Sequence, residues 1–249
     1  MTEPRPGRQG VVFDLDGTLV DSEPFWVRGF STGLTAVLEA RGHGRHTVKE
    51  SDLGRFHGGR VPDSVREILQ WLGVTMPEDE ADAVIDAVID AVTAEFVAHP
   101  APIRDAVVTA RALHREGVPM AVASSSARVF IDAALEAVGL EDAFAVRLST
   151  LDVPSGKPDP RIYTDAIALL GIDPTVSAAI EDSRVGVRAA LAAGLPCVWF
   201  TAATDASDEE VSELSARHTQ DSDTPILVAR ALSAELVEGF LDRLAERRL

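Results

Sequence analysis

The sequence has little cysteine and few basic residues, and both shortages narrow the possible function classes. The single Cys197 excludes an internal disulfide, and its place in the apolar run PCVWF favours a small buried side chain over a reactive thiol. The chain carries 23 Lys and Arg against 40 Asp and Glu, which gives a formal net charge of −17 at pH 7. This charge argues against binding to nucleic acid or to an anionic membrane surface, because both attract basic patches.

Long apolar runs are also missing from the sequence. No uninterrupted run approaches the ~20 residues of a membrane-spanning helix, and the N-terminal MTEPRPGRQG has no apolar signal-peptide core. We therefore predict a cytoplasmic protein, and its acidic exterior is compatible with a monomer. The 249 residues, 46% of them hydrophobic, suffice for one sizeable domain or for a core domain with a smaller one. The acidic stretch TDASDEEVSE predicts a solvated loop and helix start.

Short apolar runs alternate with amphipathic stretches along the chain. Stretches such as VFIDAALEAVGL have helical spacing and end at a glycine. This alternation predicts an α/β fold with a parallel sheet, in which ligands bind beyond the carboxyl ends of the strands. The runs with the composition of strands are residues 11–13, 119–123, 144–148, 177–180, 197–200 and 226–228.

About a hundred residues separate the first predicted strand from the second, far more than the dozen or so that a crossover needs. Stretches of this segment, such as EDEADAVIDAVIDAVTAEFV, have helical spacing. We predict a helical cap domain at residues 24–99, inserted into a catalytic core of residues 1–23 and 100–249. Its predicted edges are the pair Glu23-Pro24 and the run HPAPI, whose prolines make a stiff linker. In the alternative interpretation, the helices merely cover one face of the sheet.

Polar side chains directly follow four of the predicted strands. Taken singly, each has an ordinary structural explanation, such as a capping turn, a surface lysine or a helix N-cap. At an effective dielectric constant of ~20, however, two carboxylates ~4 Å apart repel by about 4 kcal/mol, so crowded aspartates either face water or hold a cation. The groups are Asp14, Asp16 and Asp21 after VVF, Ser124, Ser125 and Ser126 after PMAVA, Lys157 in the loop after VRLS, and Glu181 and Asp182 after SAAI.

Phosphoryl transfer needs such groups together. Mg²⁺ typically takes one or two carboxylates plus substrate oxygens and water, and Asp14 and Asp182 are suitable ligands. A carboxylate can act as nucleophile and form an aspartyl-phosphate, and a second carboxylate can protonate the leaving alkoxide. Asp14 and Asp16 stand two apart on extended chain and therefore face the same way. Lysine and hydroxyl groups would stabilise charge on the phosphoryl oxygens.

The segments DLDGTLVDS, ASSS, GKPDP and EDSRVGVRAALAAG resemble, in this order, the four motifs of the haloacid dehalogenase superfamily. The likeness is to the branch of beta-phosphoglucomutase-like and sugar-phosphate phosphatases, and it extends from residue 11 to about residue 200. It implies a Rossmann-like parallel-sheet core with an inserted all-helical cap. It also implies Mg²⁺-dependent hydrolysis of a small sugar or polyol phosphate through an aspartyl-phosphate.

The resemblance implies a role for each matching residue. Asp14 would be the nucleophile and a Mg²⁺ ligand, and Asp16 would be the general acid/base that lends its backbone carbonyl to the metal. Lys157 would bridge the nucleophile and the phosphate. Asp182 would bind the metal, with Glu181 beside it as a further ligand. The phosphate would also be bound by Thr18, Ser124 and Ser125.

Substrate choice is expected to depend on the cap. The segment FHGGRVPDSV resembles the substrate-facing loop of such caps, and its His57 and Arg60 could contact hydroxyls or a carboxylate of the substrate. A solvated turn is the alternative interpretation of this segment. Glu23 and Trp26 are further candidates for substrate contacts, although a tryptophan at this position also suits a core.

Other activities fit the motifs less well. Dehalogenases of the superfamily lack the second aspartate of the first motif, so Asp16 counts against cleavage of a carbon–halogen bond. SGK lacks the upstream glycine of a P-loop, where Leu151 stands, and no G-x-G-x-x-G follows a strand. The nearest alternative is a beta-phosphoglucomutase-type phosphohexomutase, although Thr18 after Asp-Gly favours a phosphatase. A non-catalytic regulatory or binding module of the same fold is a remote alternative.

Overall fold

A computed structural model describes residues 7–53, 60–201 and 224–247 of the chain. His57 and the acidic stretch at 204–213 therefore lie outside the described residues. None of the helices in the described part combines the length and the hydropathy that a membrane span requires. The cytoplasmic location and the monomeric state stay predictions.

The centre of the fold is a six-stranded parallel sheet, which confirms the predicted α/β class. Each predicted strand is present, and the largest shift is at the third, which begins two residues later than expected. The strands are β1 (Val11–Phe13), β2 (Met120–Ser124), β3 (Val146–Ser149), β4 (Ala178–Glu181), β5 (Cys197–Phe200) and β6 (Ile226–Ala229), arranged as β3-β2-β1-β4-β5-β6.

Helices cover both faces of this sheet. The side chains of Val11 and Phe13 join one core cluster and that of Val12 joins the other, as strand alternation requires. Helices α5 (Arg104–Arg115), α6 (Arg128–Ala137) and α9 (Ala234–Glu246) pack on the first face, and α7 (Arg161–Leu170) and α8 (Arg184–Ala192) pack on the second. The α-helices of the described residues are α1 (Glu23–Arg28), α2 (Leu34–Ala40), α3 (Val61–Trp71), α4 (Glu78–Ala98), α5 (Arg104–Arg115), α6 (Arg128–Ala137), α7 (Arg161–Leu170), α8 (Arg184–Ala192) and α9 (Ala234–Glu246).

The described residues between β1 and β2 form helices α1 to α5 and no strand, and α1 to α4 precede the run HPAPI. A π-helical turn at Gly29–Gly33 joins α1 to α2. Gly29 lies in this turn with its missing Cβ directed at Val92 of α4, so a larger residue would push the two helices apart. The helices bury the predicted apolar stripe of α4, which includes Ile85, Val88 and Phe96. The division into a core and a cap at residues 24–99 stays a prediction.

Aromatic side chains join these helices to the rest of the fold. The ring of Phe130 on α6 lies 5.1 Å from that of Trp26 and 5.4 Å from that of Phe96. Phe25 in turn packs against Phe96 at 5.1 Å. Aromatic pairs in such tilted and edge-to-face arrangements contribute about 0.5–1.5 kcal/mol each beyond the area that they bury. The helical segment therefore rests on the amino-terminal half of α6 through a continuous apolar contact.

The two predicted edges of the helical segment differ in structure. Glu23-Pro24 forms the first turn of α1, where proline fits well because the N–H group that it lacks would have no helical partner. Residues 99–103 do run outside any helix. The Asp21 amide donates to the Ala101 carbonyl at 2.8 Å, so the outgoing and returning chains lie side by side.

Candidate active site

The polar groups predicted at the strand ends meet at one edge of the sheet. Asp14 follows β1 directly, Ser124 ends β2 and Glu181 ends β4, and these three strands are neighbours. The Asp14 amide donates to the Ile180 carbonyl at 2.9 Å, which holds the first aspartate beside the acidic pair that follows β4. Parallel strands with equal register thus bring residues more than 160 positions apart into contact.

Lys157 lies at the centre of this group. Its ammonium donates to Asp14 Oδ1 at 2.7 Å, to Glu181 Oε1 at 2.5 Å and to the Ala123 carbonyl at 2.9 Å. These three acceptors use all three ammonium protons, so the position of Nζ is fully determined. Burial alone would lower the pKa of Lys157, but the carboxylates of Asp14 and Glu181 outweigh it and raise this pKa, so the lysine stays charged.

Three carboxylates share the site, and one lysine does not balance their charge. Asp14, Glu181 and Asp182, here called the carboxylate cluster, each offer an oxygen within 4.8 Å of the other two. Burial raises the pKa of Asp14 to about 8 against the attraction of Lys157. Burial, followed by repulsion from Asp14 and Glu181, raises the pKa of Asp182 well above its ordinary value. A divalent cation such as Mg²⁺ binds hard anionic oxygens. The cluster offers such oxygens and lacks positive charge to balance them, so its donor set fits such an ion.

Asp16 stands beside the cluster with its carboxylate held by four donors. Its Oδ2 accepts from the hydroxyls of Ser124 at 2.8 Å and Ser126 at 2.9 Å. Its Oδ1 accepts from the Ser22 hydroxyl at 2.5 Å and from Trp26 Nε1 at 3.4 Å. The donors come from the first motif, from α1 and from the end of β2, so Asp16 has a single orientation toward the space above Asp14.

The turn between Asp14 and Val20 depends on a glycine. Gly17 has φ +82°, in the left-handed region that favours glycine. A Cβ on Gly17 would also overlap the carboxylate of Asp182, so the turn and the acidic pair pack directly against each other. Thr18 is fully buried in this turn, and its hydroxyl lies 3.5 Å from Asp182 Oδ1.

A cavity of about 340 Å³ opens above these groups. Its floor contains Asp14, Asp16, Lys157 and Asp182, together with Ser125 and Ser126. Glu23 and Arg184 contribute charged groups to its lining. Most of the apolar part of its wall comes from the helical segment, namely from Trp26, Val27, Phe30 and Val61, and Val185 of α8 completes it. The charged and hydroxyl groups at the floor of the cavity therefore lie opposite apolar side chains.

The predicted substrate residues divide into two groups. Glu23 and Trp26 line the cavity. Arg60 lies instead against the loop that precedes Lys157: its Nη1 is 3.5 Å from the Pro154 carbonyl, and its aliphatic stem packs on Gly156. Arg60 also lines a separate cleft between α3, α4 and α6.

Residues 9–194 match the family of haloacid dehalogenase-like hydrolases. The chain belongs to this family. Hexitol phosphatase B of Escherichia coli (strain K12) is 32% identical over 187 residues, which cover 73% of this chain and 78% of the relative. Validoxylamine A 7′-phosphate phosphatase of Streptomyces hygroscopicus subsp. limoneus is 31% identical over 208 residues, which cover 78% of this chain and 86% of the relative. The predicted family is confirmed.

Solved structures of the same shape support the fold of this haloacid dehalogenase-like hydrolase. CbbY from Rhodobacter sphaeroides, in complex with phosphate, has a TM-score of 0.73 at 22% identity and covers 94% of this chain and 99% of its own. Beta-phosphoglucomutase from Clostridium difficile has a TM-score of 0.72 at 15% identity, with coverages of 96% and 98%. The matched architecture spans nearly the whole chain, including the helical segment.

Several residues that shape the site of this hydrolase were not predicted from its sequence. One of them is Tyr163, whose Oη donates at 2.5 Å to the fully buried Glu181, which was predicted; the Ser183 hydroxyl also donates to Glu181, at 3.1 Å. Ser22 holds Asp16, as described above. The amphipathic pattern of α7 predicts only that Tyr163 faces the core. Its hydroxyl reaches Glu181 because α7 packs close to the end of β4. The polar run after PMAVA does contain Ser126, but its pattern gives no reason to prefer one hydroxyl.

Gly186 provides a test of how tightly Glu181 is packed. Gly186→Ala should destabilise the protein by ~1–3 kcal/mol, because a Cβ there would overlap the Glu181 carboxylate in a fully packed site. Gly239→Ala is the matched control, since Gly239 also lies within a helix but has no neighbour nearer than Arg243 Nη1 at 3.6 Å. The control should gain about 0.5–1 kcal/mol from helix propensity. Urea unfolding measures both, and a Gly186→Ala protein as stable as the control would contradict this packing.

Without a divalent cation, the free energy of unfolding is expected to fall as the pH rises from about 4 to about 8. The pKa of Asp14 rises from 3.8 to about 8 on folding, so the folded protein holds an extra proton between these values. This linkage lowers the stability by up to about 1.4 kcal/mol per pH unit. Mg²⁺ should abolish the slope, because a bound cation favours the ionised carboxylate. Urea unfolding across this range, with EDTA or with Mg²⁺, measures the effect, and a rising stability in EDTA would contradict it.

Proposed function

We propose that this hydrolase is a Mg²⁺-dependent phosphatase that acts on a small phosphorylated metabolite, a sugar or polyol phosphate, through an aspartyl-phosphate on Asp14. The observation that carries the proposal is the Lys157 ammonium, 2.7 Å from Asp14 and 2.5 Å from Glu181, at the floor of a cavity. The relatives described above are phosphatases by name, and the chain is a phosphatase of this family. Two names specify a hexitol and validoxylamine A 7′-phosphate, which supports a polyhydroxylated substrate.

Asp14 and Asp182, with the backbone carbonyl of Asp16, are the proposed ligands of Mg²⁺, and Glu181 belongs to the same carboxylate cluster. The charge deficit of the cluster and the raised pKa values of Asp14 and Asp182 support this assignment. A bound Mg²⁺ would neutralise the repulsion between the carboxylates and an anionic phosphoryl group. The remaining chemistry belongs to the side chains.

In the proposed first step, a carboxylate oxygen of Asp14 attacks the phosphorus atom of the ester. The bond between phosphorus and the leaving oxygen breaks as the new bond forms. Asp16, in its acid form, donates its proton to the leaving alkoxide, and the alcohol departs. The products are a free alcohol, an aspartyl-phosphate on Asp14 and an Asp16 carboxylate. The position of Asp16 supports this role, because the donors around it hold its carboxyl group in the lining of the cavity that also contains Asp14.

In the proposed second step, Asp16 takes a proton from a water molecule, which attacks the phosphorus atom. The bond between phosphorus and Asp14 breaks, and inorganic phosphate and the original carboxylate are released. Lys157 stays within hydrogen-bond distance of Asp14 Oδ1 and stabilises the charge on the phosphoryl oxygens. Together, the two steps return Asp14 and Asp16 to their starting states.

The serines and the threonine divide into two proposed roles. Ser125 lines the cavity and is the proposed phosphate-binding hydroxyl. Ser124 and Thr18, also predicted to bind phosphate, are fully buried, and their hydroxyls lie against Asp16 and Asp182. We assign Ser124 and Thr18 the positioning of these two aspartates in the substrate-free protein, and contact with phosphate stays a prediction for both.

The helical segment at residues 24–99 is the proposed cap domain. Trp26, Val27 and Phe30 present apolar side chains to the cavity, and a sugar or polyol can lay its C–H face on such a wall. Glu23 is the proposed acceptor for hydroxyl groups of the substrate. Contacts from His57 and Arg60 stay predictions, since Arg60 points to the neighbouring loop and His57 lies outside the described residues.

Release of inorganic phosphate from a panel of sugar, polyol and carboxylate phosphates, with Mg²⁺ and with EDTA, tests this function. The expected result is Mg²⁺-dependent release from a polyhydroxylated monophosphate, with little release from small carboxylate phosphates. Isomerisation of beta-glucose 1-phosphate to glucose 6-phosphate without net release, in the presence of its bisphosphate activator, would assign the chain to the mutases. No release and no isomerisation with any compound would contradict the proposal.

A further inference from the structure

We infer that Tyr163 is a positioning residue for the reaction: its hydroxyl fixes the Glu181 carboxylate and thereby the Lys157 ammonium and the carboxylate cluster. Tyr163 stands on α7, beyond the GKPDP motif, and is fully buried outside the lining of the cavity. It therefore acts through other residues and touches no substrate. The inference rests on the proposed function, because it concerns the same site.

The acceptor sites of Glu181 are fully used. Its Oε1 accepts from Lys157 Nζ and from Tyr163 Oη, both at 2.5 Å. Its Oε2 accepts from the Ser183 amide at 3.3 Å and from the Ser183 hydroxyl at 3.1 Å. A carboxylate has about four lone-pair sites, so this side chain has one orientation. Gly186, where a Cβ would overlap the carboxylate, closes the remaining side.

Without the Tyr163 hydroxyl, Lys157 would be the one donor to Glu181 Oε1 among the described residues. Glu181 would keep its bonds to Ser183 but lose the neutral donor that fixes Oε1, so the contact between Oε1 and the Lys157 ammonium would no longer be held in one geometry. A lysine that Glu181 holds less firmly can pair more closely with Asp14 and compete with a cation for the Asp14 oxygens. Both the orientation of the lysine and the affinity of the cluster for a cation therefore depend on this hydroxyl.

The ring and the hydroxyl of Tyr163 contribute separately. The ring lies beneath the ammonium of Lys157, with 5.3 Å between Nζ and the ring centroid, in the range of a cation–π contact. Phenylalanine would keep this contact and the packing of α7 and would remove only the hydroxyl. A buried phenol is costly without a partner, and Glu181 supplies the partner here. Tyr163→Phe therefore isolates the positioning role.

For Tyr163→Phe we expect a kcat about tenfold below that of the wild type and a KM unchanged within about twofold. Half-maximal thermal stabilisation should require a Mg²⁺ concentration about tenfold higher than in the wild type, as for other residues that orient metal ligands. Thr109→Val is the matched control, because Thr109 also buries a hydroxyl, on α5, and this hydroxyl has no hydrogen-bond partner among the described residues. The control should leave kcat and the Mg²⁺ requirement unchanged. A purely structural role for Tyr163 would lower the melting temperature and leave both of these quantities at their wild-type values.

The chain contains a single tyrosine, so labelling with 3-fluorotyrosine gives one ¹⁹F resonance that reports on this position without any substrate. We expect Mg²⁺ alone to shift this resonance. The Mg²⁺ concentration at half of the full shift should equal the concentration that gives half-maximal thermal stabilisation. An active enzyme whose resonance ignores Mg²⁺ and whose Tyr163→Phe variant equals the wild type would overturn the inference and leave the phosphatase intact. A resonance that responds to Mg²⁺ in a protein that hydrolyses no ester would contradict the proposed function and support the coupling of Tyr163 to the cation site.

Discussion

Asp14→Asn is expected to lower the rate of phosphate release by about 10⁴-fold or more, as loss of a nucleophile does in other enzymes with a covalent intermediate. An amide has nearly the shape of the carboxyl group but cannot attack phosphorus. The fold should survive the change, because Lys157 keeps its bonds to Glu181 and to the Ala123 carbonyl. Burial already disfavours the charge on Asp14, so its removal should not lower the melting temperature.

Asp21→Asn is the matched control for this experiment. Asp21 stands in the same motif and carries the same functional group, but it is exposed. Its variant should keep the wild-type rate within about twofold, in keeping with the small effects of exposed substitutions. Steady-state phosphate release with the best substrate of the panel measures all three proteins. An Asp14→Asn protein that retains appreciable activity after exhaustive purification would show that Asp14 is not the nucleophile.

Lys157→Met is expected to destabilise the protein by ~3–5 kcal/mol and to abolish activity. The substitution removes the ammonium group that pairs with the buried carboxylate cluster. The Lys157 side chain is 3% exposed, so water cannot replace it readily. Added Mg²⁺ should restore part of the stability, since it supplies positive charge to the same oxygens. It should not restore activity, because the donor to the phosphoryl oxygens is still missing.

The chain offers one other lysine as a control. Lys49 is exposed, and Lys49→Met should change stability by no more than about 0.5 kcal/mol and leave activity unchanged. Urea unfolding with EDTA and with Mg²⁺ measures the difference between the two variants. A Lys157→Met protein as stable as the Lys49→Met protein in EDTA would mean that the cluster carries no net charge in the folded state, contrary to the account given above.

Sequence patterns were sufficient for the sheet and for the groups at its edge. Strands with buried faces on both sides leave apolar runs, and the residue that follows each run must lie at the carboxyl edge. This is why Asp14 and Asp182 could be placed together from the strand pattern, whereas Lys157, which stands in the loop after β3, was placed with them by its motif. The edge of the helical segment was harder, because a proline such as Pro24 suits a linker and the first turn of a helix equally well.

The supporting residues of the site escaped prediction for a physical reason. Tyr163 satisfies the apolar period of α7, so nothing in the local pattern separates it from an ordinary core residue. Ser22 precedes α1 and makes no cap bond, and its bond to Asp16 depends on how the turn after β1 folds back. The direction of Arg60 depends on the loop at 154–156, about ninety residues away in sequence. Periodicity records which residues are buried and carries no information about their partners.

The most direct test of the central claim is to quench the enzyme in acid during turnover of its best substrate and to search its peptides for the phosphoryl group by mass spectrometry. With an activated aryl phosphate, whose phenolate leaves without a proton, Asp16→Asn should raise the yield, because its amide cannot take the proton from water in the second step. The proposed mechanism predicts one phosphorylated site, Asp14, in the active enzyme and in Asp16→Asn, and none in Asp14→Asn. A fully active enzyme with an unmodified Asp14 under these conditions, or with the phosphoryl group on another residue, would contradict the proposed mechanism.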